Sequence, residues 1–360
     1  MYDGLYKQVF SRIDPEQIHE LSIKLLAGAG QFPPTRSFLA QTFSPRPAFP
    51  PINLWGRAFA HPLGLAGGFD KDARCLPALQ SLGFSFIEVG TVTPQPQLGN
   101  PTPRLFRLSE DSALINRMGF PSSGMAALVL RLANLSNVDV PIAISLGKNK
   151  TTALTDAVQD YIAVLNALYA YGDCFVVNIS SPNTPDLRKL QTRDYLADLL
   201  GQLAQTMRIL AQNNSPKPLL IKIAPDLEWS EIDDILELAL QFGIAGIIAT
   251  NTTLQRKDLH SPYQTETGGL SGQPLRQRST EIIRYIHQLT EKKLVIIGVG
   301  GVFNGDDIWE KLSAGATLVQ AYTGFIYKGP AFVKQVLTQL ETRMRQTGIS
   351  CYEDIINTKE

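Results

Sequence analysis

The sequence predicts an α/β fold, a (β/α)8 TIM barrel with a small N-terminal helical extension. The main evidence is repetition, because from about residue 60 onwards short apolar runs alternate with stretches of helical periodicity. Eight such units over roughly 290 residues suit a barrel, which typically takes about 250 residues. An open, doubly wound sheet is the alternative. It usually has fewer repeats and a glycine-rich fingerprint after its first strand, which Gly67 and Gly68 do not complete.

Residues 1–30 are predicted to form a two-helix segment ahead of the barrel. An apolar stripe over Tyr2–Ile13 follows helical spacing, and a second helix starts with Asp14 as its N-cap and Pro15 in its first turn. Residues 31–59 are rich in proline and lack periodicity, so we interpret them as a linker. The remaining boundaries place the barrel at 60–348 and a C-terminal tail at 349–360.

The eight repeats place strands and helices along the barrel domain. The predicted strands are Leu63–Ala66, Phe86–Val89, Pro141–Leu146, Phe175–Asn178, Leu219–Ile223, Gly246–Ala249, Leu294–Val299 and Leu318–Ala321. Helical patterns follow them near 73–82, 123–135, 154–170, 188–212, 229–242, 275–290, 304–314 and 329–345. Because barrel enzymes carry their chemistry at the C-terminal ends of the strands, the residues after each strand are the functional candidates.

Composition excludes several classes of function. The 360 residues include 33 lysines and arginines and 33 aspartates and glutamates, so no excess positive charge indicates nucleic-acid binding. The three cysteines lie far apart, which suits reduced thiols in a cytosolic setting, and none of the four histidines follows a strand. A metal site or a Ser-His-Asp triad is therefore not expected. No apolar run reaches transmembrane length and no signal-peptide pattern opens the chain, so any membrane contact should be peripheral.

The ends of the seventh and eighth strands predict a phosphate site. Gly300 and Gly301 let the backbone approach a ligand closely, Asn304 caps the next helix, and Gly272 closes the site from the loop after strand six. The alternative is a set of ordinary turn glycines, but their position in a barrel favours phosphate.

Lys222 is unusual because its neighbours in strand five are isoleucine and leucine. It could form a Schiff base with a carbonyl substrate, or its fixed charge could stabilise an anionic ring such as a reduced flavin. A structural lysine that extends to the barrel rim is the third explanation.

Asparagines cluster at the predicted strand ends. Asn116, Asn178, Asn183 and Asn251 each offer a donor and an acceptor, which suits a planar ligand with alternating N–H and C=O groups, such as a pyrimidine. Lys71 would supply the positive charge for a carboxylate on that ligand. Individually each asparagine is more typical of a turn, and only the set favours a site.

The loop Asn178–Pro185 holds two of these asparagines together with Ser180, Ser181 and Thr184. Its two prolines stiffen the backbone and disfavour helix before them. Taken alone, the loop suits an ordinary turn as well as a rigid site.

The motifs together resemble the dihydroorotate dehydrogenase family. They occur in the family's order at compatible spacings, essentially end to end, and comprise Asn178–Pro185, Lys222–Asp226, Asn251–Thr253, Gly268–Gly272 and Gly298–Gly301. The resemblance implies a barrel that binds flavin mononucleotide (FMN) and oxidises dihydroorotate to orotate in pyrimidine synthesis. The N-terminal helices and Ser181, where the soluble class 1 has cysteine, resemble the quinone-dependent class 2.

The resemblance also implies roles for individual residues. Ser181 would be the base that takes the C5 proton, with Thr184 or a nearby water as a relay. The substrate would be surrounded by Lys71, Asn116, Arg117, Met118, Gly119, Phe120, Asn178, Asn183, Asn251 and Thr252. The flavin would be held by Ala66, Gly67, Gly68, Thr91, Ser145, Asn178, Lys222, Thr250, Gly272, Gly301, Tyr322 and Thr323. The quinone would approach between the N-terminal helices past His19, Arg107 and Tyr322, although the pattern around His19 alone indicates only a partly exposed helix residue.

Ser145 departs from the family pattern, in which an asparagine usually contacts the flavin at this position. Serine is shorter and loses one donor–acceptor pair, so we expect a weaker flavin contact that a bridging water could restore.

Two other functional classes remain open. A Schiff-base lyase would explain Lys222 but neither the asparagines nor the N-terminal helices, and borohydride would trap its adduct. A non-catalytic flavin or phosphate binder would tolerate Ser181→Ala. For the leading interpretation, the family and the missing targeting signal imply a peripheral protein on the cytoplasmic face of the membrane, with the apolar stripes of the two helices lying in the plane of the bilayer surface.

Overall fold

The structure, a computed structural model, describes residues 13–358 and opens with two helices, α1 (Pro15–Gln31) and α2 (Pro33–Phe43). Asp14 caps α1 as predicted, because its Oδ1 accepts hydrogen bonds from the backbone N–H groups of Glu16 and Gln17, each at 3.0 Å. The helix predicted over Tyr2–Ile13 lies outside the described residues except for Ile13.

The segment 31–59, predicted as an aperiodic linker, contains regular structure. Its first part is α2, whose two leading prolines occupy the first helical turn, where proline is tolerated. Its last part is a hairpin of β1 (Ile52–Leu54) and β2 (Arg57–Phe59). Trp55 and Gly56 form the two-residue turn with φ of 53° and 72°, the left-handed conformation that such hairpins need. The proline-rich composition concealed both elements.

The remaining strands follow in chain order. They are β3 (Leu63–Leu65), β4 (Ile87–Val92), β5 (Leu105–Leu108), β6 (Ala113–Asn116), β7 (Ile142–Leu146), β8 (Cys174–Asn178), β9 (Leu219–Ile223), β10 (Gly246–Ala249), β11 (Gly269–Gly272), β12 (Val295–Val299) and β13 (Leu318–Ala321). Eight of them close into a barrel in the order β3, β4, β7, β8, β9, β10, β12, β13. Every pair in the barrel is parallel. The predicted (β/α)8 barrel is confirmed, and each predicted strand overlaps one of these eight.

Helices cover the outside of the barrel. They are α3 (Leu76–Ser81), α4 (Met125–Ala133), α5 (Ala157–Leu168), α6 (Arg193–Ala211), α7 (Trp229–Gln241), α8 (Arg276–Thr290), α9 (Gly305–Ser313), α10 (Thr323–Lys328) and α11 (Phe332–Thr347). Every residue of β7, β8 and β9 is buried, because the helices cover one face and the packed interior covers the other. Trp55 and Phe59 of the hairpin line a small cavity together with residues near the beginning of the strands.

A second sheet lies over the C-terminal ends of the barrel strands. β6 pairs antiparallel with β5 and with β11, so that Asn116 stands opposite Gly269 and Ala113 opposite Gly272. The sheet therefore joins the loop after β4 to the loop after β10. Within residues 13–358, no helix combines the length and the apolar character needed to cross a membrane.

Candidate active site

A cavity of about 1260 Å³, including its open mouth, lies at the C-terminal ends of the strands. Most of the predicted site residues form its wall: His19, Ala66, Gly67, Gly68, Lys71, Thr91, Asn116, Met118, Gly119, Phe120, Asn178, Ser181, Asn183, Lys222, Thr250, Asn251, Thr252, Gly272, Gly301, Tyr322 and Thr323. The barrel thus gathers residues that are more than 300 positions apart in the chain into one space.

The loop after β8 places Ser181 on the wall of this cavity. The Tyr161 hydroxyl of α5 anchors the start of the loop by donating to the Asn178 carbonyl oxygen at 2.9 Å. Ser181 is buried, and its Oγ accepts a hydrogen bond from the Asn183 backbone N–H at 3.3 Å. Thr184 is also buried, and its Oγ1 has no hydrogen-bond partner among residues 13–358. The Ser181 hydroxyl is therefore held in place with its own proton still available for a ligand.

The structure brings the four asparagines together in two pairs. Asn183 Nδ2 donates to Asn116 Oδ1 at 3.0 Å, which connects the loop after β8 to the end of β6. Asn251 Nδ2 donates to Asn178 Oδ1 at 3.3 Å, and Asn178 Nδ2 donates to Thr91 Oγ1 at 2.7 Å. Each amide keeps unused hydrogen-bonding capacity for a polar ligand in the cavity.

Lys222 has a buried acidic partner and also lines the cavity. Its Nζ lies 3.1 and 3.2 Å from the two carboxylate oxygens of Glu88, whose side chain is 1% exposed. Gln320 Nε2 donates to the same carboxylate at 3.0 Å. A Cβ atom on Gly67 would collide with Glu88 Oε1, so a larger residue there would have to displace the buried carboxylate. The arrangement is a compensated charge pair that presents an ammonium group to the cavity.

Glycine-rich backbone forms the wall contributed by β11 and by the loops after β12 and β13. Gly300 and Gly301 have φ of 130° and 71°, values that other residues rarely adopt. Asn304 caps α9 as predicted, because its side chain accepts from the Asp307 backbone N–H at 3.0 Å. Ser271 and Thr323 form a hydroxyl pair at 2.8 Å. These groups suit an anion that is recognised by backbone N–H and hydroxyl donors.

Helix α1 contributes Glu16 and His19 to the cavity wall beside Lys71. Burial, together with the nearby Lys71, lowers the pKa of His19 to about 4, so the ring is neutral at neutral pH. Burial, together with the charge of Arg104, lowers the pKa of Lys71 to about 8. Arg104 itself forms an ion pair with Glu16 at 2.6 Å, which connects α1 to the segment that leads into β5.

Three predicted site residues do not line the cavity. The Arg117 guanidinium instead pairs with Glu266 at 2.6 Å, because the antiparallel pairing of β6 and β11 brings the 266–268 segment beside it. The Ser145 hydroxyl is buried against Thr91 Oγ1 at 3.0 Å and is too short to extend past it. Arg107 is buried, and its guanidinium donates to the Ile13 carbonyl oxygen.

Sequence reasoning missed Glu16, Glu88 and Gln320 on the cavity wall. Glu88 carried a usable signal, since a carboxylate within the apolar run Phe86–Val89 is as unusual as Lys222 in its strand. Gln320 breaks the apolar run of the eighth strand in the same way. The sequence gives no signal for Glu16, because acidic residues are common in the first turn of a helix.

The described residues contain no cluster of three or more histidine, cysteine, aspartate or glutamate side chains that could hold a metal ion. The fold and the cavity define a barrel protein whose site has the chemistry to hold a planar polar ligand beside the buried Lys222 ammonium, with glycine-rich loops suited to an anion.

Comparison with known proteins identifies the family. The family model described as "Dihydroorotate dehydrogenase" matches residues 51–344. A protein from Gloeobacter violaceus named "Dihydroorotate dehydrogenase (quinone)" is 49% identical over 345 residues, covering 96% of this chain and 95% of that protein. A protein of the same name from Christiangramia forsetii is 49% identical over 336 residues, covering 93% and 97%. A crystal structure of DHODH from Eimeria tenella in complex with ferulenol is 36% identical, with a TM-score of 0.89 and coverage of 98% and 97%. The chain belongs to the dihydroorotate dehydrogenase family.

Proposed function

We propose that the cavity binds one FMN per chain, and that Ser181 removes a substrate proton while Lys222 presents its charge to the cofactor. The reaction is oxidation of dihydroorotate to orotate with a quinone as the electron acceptor, a step of pyrimidine synthesis in this flavin-dependent family. The observation that carries the proposal is the presence of Ser181, Lys222 and the four asparagine amides on one cavity wall.

The residues of the cavity fit FMN. The glycine-rich loops and the hydroxyl groups of Ser271 and Thr323 suit the phosphate, and Lys222 suits a ring that gains negative charge on reduction. Gln320 Oε1 is buried and has no hydrogen-bond partner among residues 13–358, so it can accept from a ligand N–H group. FMN, when bound, supplies the acceptor for the hydride that leaves C6 of the substrate.

The further flavin contacts we propose are those that the family resemblance implied. They comprise Ala66, Gly67, Gly68, Thr91, Asn178, Thr250, Gly272, Gly301, Tyr322 and Thr323. Ser145 would act on the flavin through Thr91, to which its hydroxyl is bonded.

On the substrate side, the asparagine amides would bind the edge of the pyrimidine ring, and Lys71 would bind the carboxylate of the substrate. Ser181 would remove the C5 proton as the hydride leaves C6. Because an alcohol is a weak base, the hydroxyl has to pass a proton onward, and the unpartnered Thr184 Oγ1 is a suitable receiver. Met118, Gly119, Phe120 and Thr252 would complete the enclosure, and Arg117 would contribute through its backbone alone.

The quinone would approach beside α1. The ring of Phe69 lies 5.2 Å from that of His19 and 6.1 Å from that of Tyr322, so three rings connect the helix to the flavin site. The low pKa of His19 keeps its own ring neutral, which suits contact with an apolar quinone. Arg107 would support the entrance through its bond to Ile13 rather than by lining the path.

Helices α1 and α2 expose an apolar surface that would lie on the bilayer. Its members, each 48–65% exposed, are Leu21, Leu25, Phe32 and Phe38. Large exposed apolar side chains on short helices suit binding in the plane of a membrane surface. We propose a peripheral position on the cytoplasmic face.

The direct test uses the purified protein. We expect flavin absorbance that bleaches anaerobically with dihydroorotate and recovers on addition of a quinone. A colourless protein that cannot be reconstituted with FMN would overturn the cofactor assignment.

The pKa of Lys71 predicts how orotate binding depends on pH. Because the ammonium group loses its proton above about pH 8, its attraction for the orotate carboxylate should be present below that pH and decline above it. The dissociation constant, measured from the flavin spectrum between about pH 6 and about pH 9, should rise by up to roughly tenfold per pH unit at the upper end. The variant Lys71→Gln should bind orotate more weakly at every pH, and its dissociation constant should not rise above about pH 8. If the rise were unchanged in this variant, a group other than Lys71 would cause it.

Removal of residues 1–30 should separate the two half-reactions. The deletion takes away His19 together with Leu21 and Leu25, two of the four residues of the exposed apolar surface, so quinone reduction should be lost and binding to lipid vesicles strongly weakened while dihydroorotate still reduces the flavin. A matched variant, Leu21→Ser with Leu25→Ser, changes exposed residues only. It should weaken vesicle binding but retain the reduction of a water-soluble quinone. Equal loss of both half-reactions in the deletion would show that the helices serve only to stabilise the barrel.

A further inference from the structure

Arg188 connects three strand ends of the barrel through one guanidinium group. It lies in a 3-10 turn, Leu187–Gln191, that follows the Ser181 loop. Its Nε donates to the Ser180 carbonyl oxygen at 3.0 Å, its Nη2 to the Thr252 carbonyl oxygen at 3.0 Å, and its Nη1 to Asp226 Oδ2 at 2.8 Å. These partners follow β8, β10 and β9, respectively.

Asp226 completes the connection from the opposite side. Its Oδ2 also accepts from the Leu254 backbone N–H at 3.0 Å, and its Oδ1 accepts from the Thr253 hydroxyl. The Arg188 and Asp226 side chains are 22% and 15% exposed, so water competes little for these bonds. Gln191 of the same turn accepts from the Ala224 backbone N–H at 3.0 Å, a further bond to the segment after β9.

Of the two carbonyl groups held by Arg188, one belongs to the immediate neighbour of Ser181 and the other to a residue that itself lines the cavity. Ser180 precedes Ser181, and Thr252 follows Asn251. Neither Arg188 nor Asp226 lines the cavity, so both act through the backbone rather than on a ligand. A planar guanidinium offers its donors in a fixed fork, which fixes the spacing between its acceptors in a way that a lysine ammonium cannot.

We infer that Arg188, held by Asp226, is a positioning residue that sets Ser181 relative to the substrate contacts Asn251 and Thr252. The inference rests on the proposed role of Ser181 as the base. Because proton removal requires Ser181 to be correctly placed against a substrate held by Asn251, loosening this spacing slows proton removal more than it weakens ligand binding.

The test measures both half-reactions of the flavin-loaded protein by stopped-flow absorbance. Arg188→Met and Arg188→Lys should each lower the rate constant of flavin reduction at saturating dihydroorotate by about 10- to 100-fold. Flavin content and the rate of flavin reoxidation by quinone should stay within about twofold, since neither depends on Ser181. The control is Arg193→Met, which breaks the exposed ion pairs with Asp234 and Glu237 of helix α7 and should leave both rates unchanged.

The inference is overturned if Arg188→Lys reduces the flavin at the normal rate, or if both half-reactions fall together. If Arg188→Met does not fold, the same rates are measured in Asp226→Asn, which keeps the size of the side chain but removes the charge that pairs with Arg188. The variant Ser181→Ala is measured in parallel, because it tests the proposed base rather than the positioning role of Arg188. If Ser181→Ala reduces the flavin at the normal rate, Ser181 is not the base. If Ser181→Ala reduces the flavin slowly while the Arg188 variants reduce it at the normal rate, only the positioning role of Arg188 is rejected.

Discussion

Ser181→Ala should slow flavin reduction by dihydroorotate by about 10²- to 10⁴-fold, the usual contribution of a general base. The substitution removes the only group on the cavity wall that we assign to the C5 proton, and it leaves the asparagine pairs intact. Anaerobic stopped-flow absorbance of the flavin measures this step directly.

Two controls locate the defect in proton removal. Orotate should bind to Ser181→Ala with nearly normal affinity, because the amides and Lys71 remain. Quinone should reoxidise the reduced flavin at the normal rate. A loss of less than about fivefold in flavin reduction would be too small for a general base and would favour a positioning role for the hydroxyl.

Lys222→Met should have the second large effect, on both stability and cofactor binding. The substitution leaves the Glu88 carboxylate buried with Gln320 Nε2 as its remaining donor among the described residues. Breaking a buried ion pair from one side typically costs about 3–5 kcal/mol. We expect a much lower free energy of unfolding in urea, together with loss of flavin during purification.

A double variant, Glu88→Gln with Lys222→Met, separates the two effects. It removes both charges, so most of the stability should return, whereas flavin reduction should remain impaired because no cation faces the ring. If the double variant reduced flavin at the normal rate, Lys222 would be only a structural partner of Glu88.

The barrel was predictable because its signal is repeated eight times along the chain. Strands such as Leu219–Ile223 and Gly246–Ala249 have the predicted ends, since apolar runs buried on both faces stand out from the helical periodicity around them. The hairpin was not predictable, because Trp55 adopts a left-handed conformation that its residue type does not favour.

The sheet above the barrel was missed for a different reason. Its strands have four residues each, and β6 pairs with β11 across more than 150 positions of sequence. No local pattern encodes such a pairing. The same pairing explains why Arg117 turns to Glu266 rather than to the cavity.

The residues of the cavity wall were predictable where an unusual residue type stands at a strand end. The glycines, Ser181 and the asparagines belong to this group, because backbone approach and amide chemistry each demand particular residues. The side chains that pair with or position the residues of the cavity wall were not predictable. The contacts of Glu88 with Lys222 and of Arg188 with Asp226 depend on barrel closure and strand stagger, which composition does not specify.

The pairing of β6 with β11 also has a practical consequence for protein engineering. The segments 105–116 and 269–272 share one set of backbone hydrogen bonds, so they form a single exchangeable module despite their separation in the chain. A different barrel that receives segment 105–116 without segment 269–272 would leave one side of β6 as an open edge, prone to pairing with other chains. Transplanting both together would carry Asn116 and Gly272 across in their native register.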